Sequence, residues 1–110
     1  MSRKDYLGEF EHLVLLAILQ LGDGAYGVGI RDMIEERAQR AVSFGAVYST
    51  LRRMERKGYV RSKTGDAEPE SGRARKYFRV TPAGTALVVQ SRNRLDRMSR
   101  GLELTADRIG

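Results

Sequence analysis

A chain of 110 residues is long enough for one modest hydrophobic core and too short for two, so a single domain is expected. It has no cysteine, which excludes a disulfide framework and any thiolate metal site. Its 20 Lys and Arg against 14 Asp and Glu give a formal charge of +6, and that charge is unevenly placed. Six basic residues and one acidic lie between Ser43 and Lys63, and four basic and none acidic between Arg73 and Arg79. Those two segments carry +9 and leave the remainder at −3, so a localised polyanion site is expected, with nucleic acid favoured over an anionic membrane. The longest apolar run, Leu13 to Leu19, is too short to span a bilayer, and the charged start MSRKDYLGEFE shows no signal peptide. A cytoplasmic protein with no membrane partner is expected.

Residues 1 to 8 read as loosely packed. From Glu9 to about Leu21, Phe10, Leu13, Val14, Ala17, Ile18 and Leu21 recur at three- and four-residue spacing, which predicts a helix. Leu15, Leu16 and Leu19 widen its apolar stripe almost to the full circumference, so it must be covered on more than one side, by the rest of the domain or by a second subunit. Gly22-Asp23-Gly24 breaks it, and Ala25-Tyr26 is suited to a short extended segment. A second helix is predicted over Gly27 to Arg37, with Ile30, Met33 and Ile34 inward, and Ala38 to Val42 makes a turn.

The stretch Ser43 to Tyr59, SFGAVYSTLRRMERKGY, predicts a third helix with two unlike faces. At 100° per residue, Phe44, Val47, Leu51 and Met54 share one arc and suit a core. The opposite arc holds Gly45, Ser49, Arg52 and Arg56, flanked by Arg53 on one side and Tyr48 on the other. That face is basic and rich in groups that hydrogen-bond phosphates or base edges. Ser43 is a good N-cap and Gly58 a good residue just past the end. Two short helices joined by a brief turn, the second with a basic outer face, form a helix-turn-helix.

After Gly58 the period changes to two. Tyr59 to Lys63 and Lys76 to Thr81 predict strands with Val60, Phe78 and Val80 inward, and Thr64 to Arg75 reads as a long hairpin loop. A hairpin in this position is a wing. Thr81-Pro82 is a strong helix start, and the last helix is expected to run to about Leu102 or beyond. Along it Val88, Ser91, Leu95, Met98 and Leu102 follow the seam spacing of a short coiled coil, which predicts an oligomer contact. The expected fold is mainly α with a small β-hairpin (α+β). Its winged helix-turn-helix spans 1–81 and its C-terminal dimerisation helix 82–110, the two forming one compact unit.

Little here suggests an enzyme. There is one histidine, His12, which reads as a surface or interface residue. No Gly-rich phosphate loop is present, nor a carboxylate pair set off from helix surfaces, so no catalytic, metal or cofactor site is expected.

The series LGEFEHLVLLAIL, AYGVGI, SFGAVYSTLRRMERKGYV and GRARKYFRVTPAG resembles, in order and spacing, the PadR-like family of bacterial winged-helix transcription regulators. The similarity covers about Leu7 to Leu102. It implies a dimeric, sequence-specific DNA-binding protein, usually a repressor, whose long C-terminal helix mediates dimerisation. Carried onto this chain, the recognition helix is Ser43 to Lys57, with Ser43, Gly45, Tyr48, Ser49 and Arg52 or Arg53 at the DNA and Arg73, Arg75 and Lys76 from the wing. Because Asp66, Glu68 and Glu70 make the wing tip acidic, its strand-proximal base is the part expected at phosphates. The chain resembles the short subgroup, in which a single helix follows the wing; some short members bind flat hydrophobic drugs through tryptophan, and this chain has no Trp.

The expected partner is therefore double-stranded DNA, bound by a homodimer with Arg52, Arg53 and Arg56 as the basic group of each recognition helix. Val88, Leu95, Met98 and Leu102 would form the dimer contact. The alternative is a small-molecule sensor of drugs or phenolic compounds, with a hydrophobic pocket at the dimer interface and an unknown effector.

Overall fold

The computed structural model describes residues 6–67, 72 and 74–104, with the side chains of residues 66 and 67 left aside. Helices α1 (Glu9–Leu21), α2 (Gly27–Arg37) and α3 (Phe44–Arg56) precede a hairpin of β1 (Val60–Ala67) and β2 (Ala74–Val80), and α4 (Pro82–Ser99) follows. This is the α+β winged helix-turn-helix expected from the periodicities. The bounds of α1 and α2 coincide with the sequence reading; α1 ends at a glycine, and α2 ends at Ala38, after which Gln39 takes a left-handed φ of +51°. Gly22 closes α1 with its N–H on Ile18 O, and the Ala38 N–H closes α2 on Ile34 O.

Helix α1 is the centre of the molecule and packs on α2, α3, α4 and β2. That explains its nearly all-round apolar stripe. Val14 and Leu15 are fully buried, Ala17 and Ile18 almost so, and Phe10, Leu13 and Leu16 pack against the same core; Leu19 remains 44% exposed. The core continues through Ile30 and Ile34 of α2, Val47, Leu51 and Met54 of α3, and Val60 and Phe78 of the hairpin.

The strands pair antiparallel, with Val60 opposite Val80, Arg61 opposite Arg79, Ser62 opposite Phe78, Lys63 opposite Tyr77 and Thr64 opposite Lys76. A register irregularity lies between Thr64 and Ala67. Both strands reach further toward the tip than expected, so Thr64, Gly65, Ala74 and Arg75 belong to the ladder and not to the loop. Backbone hydrogen bonds extend a hairpin without requiring large apolar side chains, which is why composition understated it. The predicted extended segment is present: the Phe78 N–H donates to Ala25 O at 2.8 Å and Tyr26 bridges Tyr77, after a 3-10 turn over Gly22–Gly24.

Two expectations about the last helix are corrected. It ends at Ser99, short of Leu102: Arg100 is extended, Gly101 turns at φ +89°, and Ser99 Oγ donates back to Leu95 O at 2.8 Å. A left-handed residue of this kind stops a helix even where the apolar spacing continues. The predicted seam is also divided. Val88 is only 4% exposed and belongs to the core of its own chain, and Ser91 meets His12 across α1, whereas Leu95, Met98 and Leu102 are 61%, 78% and 61% exposed. Val88 is therefore spent on the fold and is not free for a partner subunit. Among the described residues no helix is long and apolar enough to cross a membrane.

Candidate nucleic-acid interface

The basic face of α3 exists because its apolar positions are committed inward. Val47, Leu51 and Met54 are buried, with Thr50 joining them at 3% exposure, and this turns the opposite arc outward. Gly45, Ser49, Arg52 and Arg56 are all exposed on that arc. Neither Arg52 nor Arg56 makes an ion pair or hydrogen bond among the described residues. At the start of the helix, Ser43 accepts the Ala46 N–H at 3.1 Å and is itself exposed. A Cβ placed on Gly45 would meet nothing within 4 Å. Gly58 at φ +83° ends the helix, its N–H on Glu55 O, and sends the chain into β1.

The flanks of this face are tied into the protein. Tyr48 is half-buried: its ring stacks on Phe44 at 5.2 Å between centroids and meets Phe78 edge-on at 6.5 Å. Its hydroxyl lies over Gly27, where a Cβ would come within 2.6 Å of the oxygen. Phe44, expected inward, is half-buried instead, because Tyr48 covers one part of it and the Arg31 guanidinium sits 5.0 Å from its centroid. Arg53 turns toward α1, donating from Nε to Glu11 Oε2 at 3.1 Å and from Nη2 to Thr50 Oγ1 at 3.5 Å.

The wing residues divide by strand alternation. Lys76 is exposed on the same hairpin face as Phe78 and Ser62, the face that meets α3 through Tyr48 and through the Ser62 hydroxyl donating to Glu55 Oε2 at 2.6 Å. Arg75 lies on the other face, its guanidinium 4.1 Å from the Tyr26 ring centroid. Arg73, and the acidic residues Glu68 and Glu70 of the wing tip, lie outside the described residues. The structure thus leaves Gly45, Ser49, Arg52 and Arg56 exposed on one arc of α3, with Ser43 exposed at its N-terminus and Lys76 exposed on the hairpin face that meets α3, its ammonium 5.8 Å from the Phe78 ring centroid, and it directs Tyr48, Arg53 and Arg75 into intramolecular contacts.

Arg61, Lys63 and Arg79 were not singled out in the sequence. They stand exposed on the outer face of the hairpin, and the period-two pattern starting at Val60 was the signal that placed them there.

The model of the transcriptional regulator PadR-like family matches residues 15–90. Over 59 residues the chain is 39% identical to the transcriptional regulator Rv3488 of Mycobacterium tuberculosis, an alignment covering 54% of this chain and 52% of that protein, about half its length. Among solved structures, a PadR family transcription regulator from hypervirulent Clostridium difficile R20291 superposes with a TM-score of 0.70 at 25% identity, over 83% of this chain and 92% of that one. A transcriptional regulator from Clostridium thermocellum gives 0.67, also at 25% identity, over 82% and 85%. The family match runs from the middle of α1 to the middle of α4 and so takes in α3, both strands and the helix that follows them: the chain belongs to the PadR-like family of transcriptional regulators.

Proposed function

We propose that the protein is a dimeric, sequence-specific DNA-binding repressor that reads a roughly palindromic operator with α3 in the major groove and the wing on the adjoining backbone. The observation that carries this reading is the exposed arc of α3, with two arginines that have no partner among the described residues. Gly45 adds to it. Glycine costs up to about 1 kcal/mol against alanine in a helix, and nothing inside the chain requires it there; a backbone approached closely from outside does. Lys76 extends the cationic surface toward the wing, and Arg73 remains a nominated contact. Tyr48 and Arg53 act by holding α3 in place more than by touching DNA.

Residues 1–81 serve as the DNA-binding unit and 82–110 as the dimerisation arm. The exposed Leu95, Met98 and Leu102 favour that arm as the contact between subunits, since large apolar side chains so open to water gain from being covered. A dimer would set two recognition helices about 34 Å apart, one helical turn of DNA. Repression would follow from occupying a promoter.

DNA selected in vitro by the purified protein supplies the test. On such a site, Arg52→Ala with Arg56→Ala should weaken binding by at least about 100-fold, since each subunit would lose two contacts of about 1–3 kcal/mol, with the fold intact by circular dichroism. Two chains should bind per site in sedimentation velocity. A double variant that binds as tightly as wild type would remove α3 as the reader.

A further inference from the structure

The hairpin has a second face, and its side chains point away from α3. Val60, Ser62, Phe78 and Val80 take the inner side of the ladder, where Phe78 meets Tyr48 and Ser62 meets Glu55. Strand alternation therefore sends Arg61, Lys63, Tyr77 and Arg79 outward, with Arg61 directly opposite Arg79 and Lys63 directly opposite Tyr77. The three cations are exposed and have no carboxylate or hydrogen-bond partner among the described residues. With Tyr77, Gly65 and Asp23 they line an open hollow of about 810 Å³, a size that suits a small ligand. Tyr77 is a fixed wall of it: its ring lies across Gly65, where a Cβ would come within 2.7 Å of it, and meets Tyr26 edge-on at 6.2 Å between centroids. Asp23, from the turn over Gly22–Gly24, adds a carboxylate that forms no ion pair with any of the three cations among the described residues.

We propose that this hollow binds a free nucleotide, a small ligand with a phosphate chain at one end and an aromatic base and hydroxyls at the other. Like charges directly opposite each other destabilise a sheet, so an arginine pair without an internal counter-ion suits an anion supplied from outside. Opposed residues stand about 5 Å apart at Cβ, which lets both guanidiniums converge on one phosphate, each with a fork of donors. Lys63, about 7 Å along the strand from Arg61, reaches the next phosphate as a point charge. The Tyr77 ring gives the base a surface to stack on, and the Asp23 carboxylate accepts hydrogen bonds from ribose hydroxyls or a base amino group. That carboxylate also selects the occupant: it would repel a continuous phosphate backbone laid through the hollow and favours a ligand whose charge is confined to one end. The site shares no residue with the exposed arc of α3 and does not depend on what that arc binds.

Calorimetric titration of the full chain with ATP, inorganic tripolyphosphate and adenosine, without DNA, supplies the test. ATP should bind more tightly than either of the other two. Arg61→Ala with Arg79→Ala should weaken ATP binding by at least about 100-fold, as the loss of two charge-assisted contacts would. Removing the opposed charges should leave the thermal midpoint of the unliganded protein unchanged or raised, which separates lost binding from lost fold. Tyr77→Leu should weaken ATP about tenfold and leave tripolyphosphate unchanged, whereas Tyr77→Phe keeps the ring and the affinity. Asp23→Ala should weaken ATP and tighten tripolyphosphate, opposite signs that neither a damaged fold nor a general cationic surface produces. The proposal is overturned if ATP does not bind at millimolar concentration. It is equally overturned if ATP and tripolyphosphate bind alike and respond alike to every variant, or if the face takes only duplex DNA. Because these titrations contain no DNA, their failure leaves the α3 reading intact, and loss of that reading on the selected duplex leaves the nucleotide site intact.

Discussion

Tyr48 shows how one side chain decides what a helix face can offer. On a helical projection it borders the basic arc, yet in the fold its ring is held between Phe44 and Phe78 and its hydroxyl rests over Gly27. The absence of a side chain at Gly27 is what makes room for it. Gly27→Ala should therefore force Tyr48 out or α2 away from α3, and a loss of about 1–3 kcal/mol, the usual range for overpacking, is expected in denaturant unfolding. Gly45→Ala, on the exposed arc, should leave stability unchanged or slightly raised. Arg53 tells a similar story with charge: its guanidinium is anchored by Glu11, 42 positions earlier, so a cation on the rim of the face serves to fix α3 on α1.

At the scale of elements, the junction of α3, the hairpin and α4 is held by Thr81. Its hydroxyl accepts the Gly84 N–H at 3.1 Å as the N-cap of α4 and donates to Gly58 O at 2.7 Å, while its own N–H donates to Tyr59 O at 3.0 Å. One side chain thereby ties the end of α3 to the start of α4. Thr81→Ala should cost about 1–2 kcal/mol, the loss of a cap together with a buried hydrogen bond. In thermal unfolding that corresponds to a fall of several degrees, roughly 4–8 °C per kcal/mol for a domain of this size. Thr81→Ser should recover most of the loss, because it keeps both hydrogen bonds.

For the whole molecule, the docking of α4 on α1 determines how the last helix is joined to the rest of the chain, and a histidine lies in that contact. His12 Nδ1 is 3.2 Å from Ser91 Oγ, and Nε2 is buried without a hydrogen-bond partner among the described residues. Burial, and then the nearby positive charge of Arg92, hold its pKa below the ordinary value of 6.5. Between that lowered value and 6.5 the unfolded chain binds more protons than the folded one, so stability rises with pH through the window and falls as the solution is acidified. The thermal midpoint should drop between about pH 7 and about pH 5, and His12→Gln should remove this component of the drop. An unchanged pH profile in that variant would show that the imidazole is not the responsible group. The broad apolar surface predicted for α1 is largely consumed within the chain, so little of it remains to line the ligand pocket of the sensor alternative.

Local rules carried much of the fold. Caps, glycines and apolar spacing act within a turn or two of chain, which is why the ends of α1, α2 and α3 and the hairpin's position were legible from residue order alone. The exposed arc of Gly45, Ser49, Arg52 and Arg56 was legible for the same reason, since a helix that buries Val47, Leu51 and Met54 has only one way to turn. Tertiary structure alone decided the rest: that Tyr48 and Arg53 face neighbours, that Val88 is core while Leu95 is not, that Arg75 stacks on Tyr26, and that Arg61 meets Arg79. Periodicity fixes a side chain's direction about its own axis. What stands in that direction depends on residues far away in sequence, and only packing brings them there.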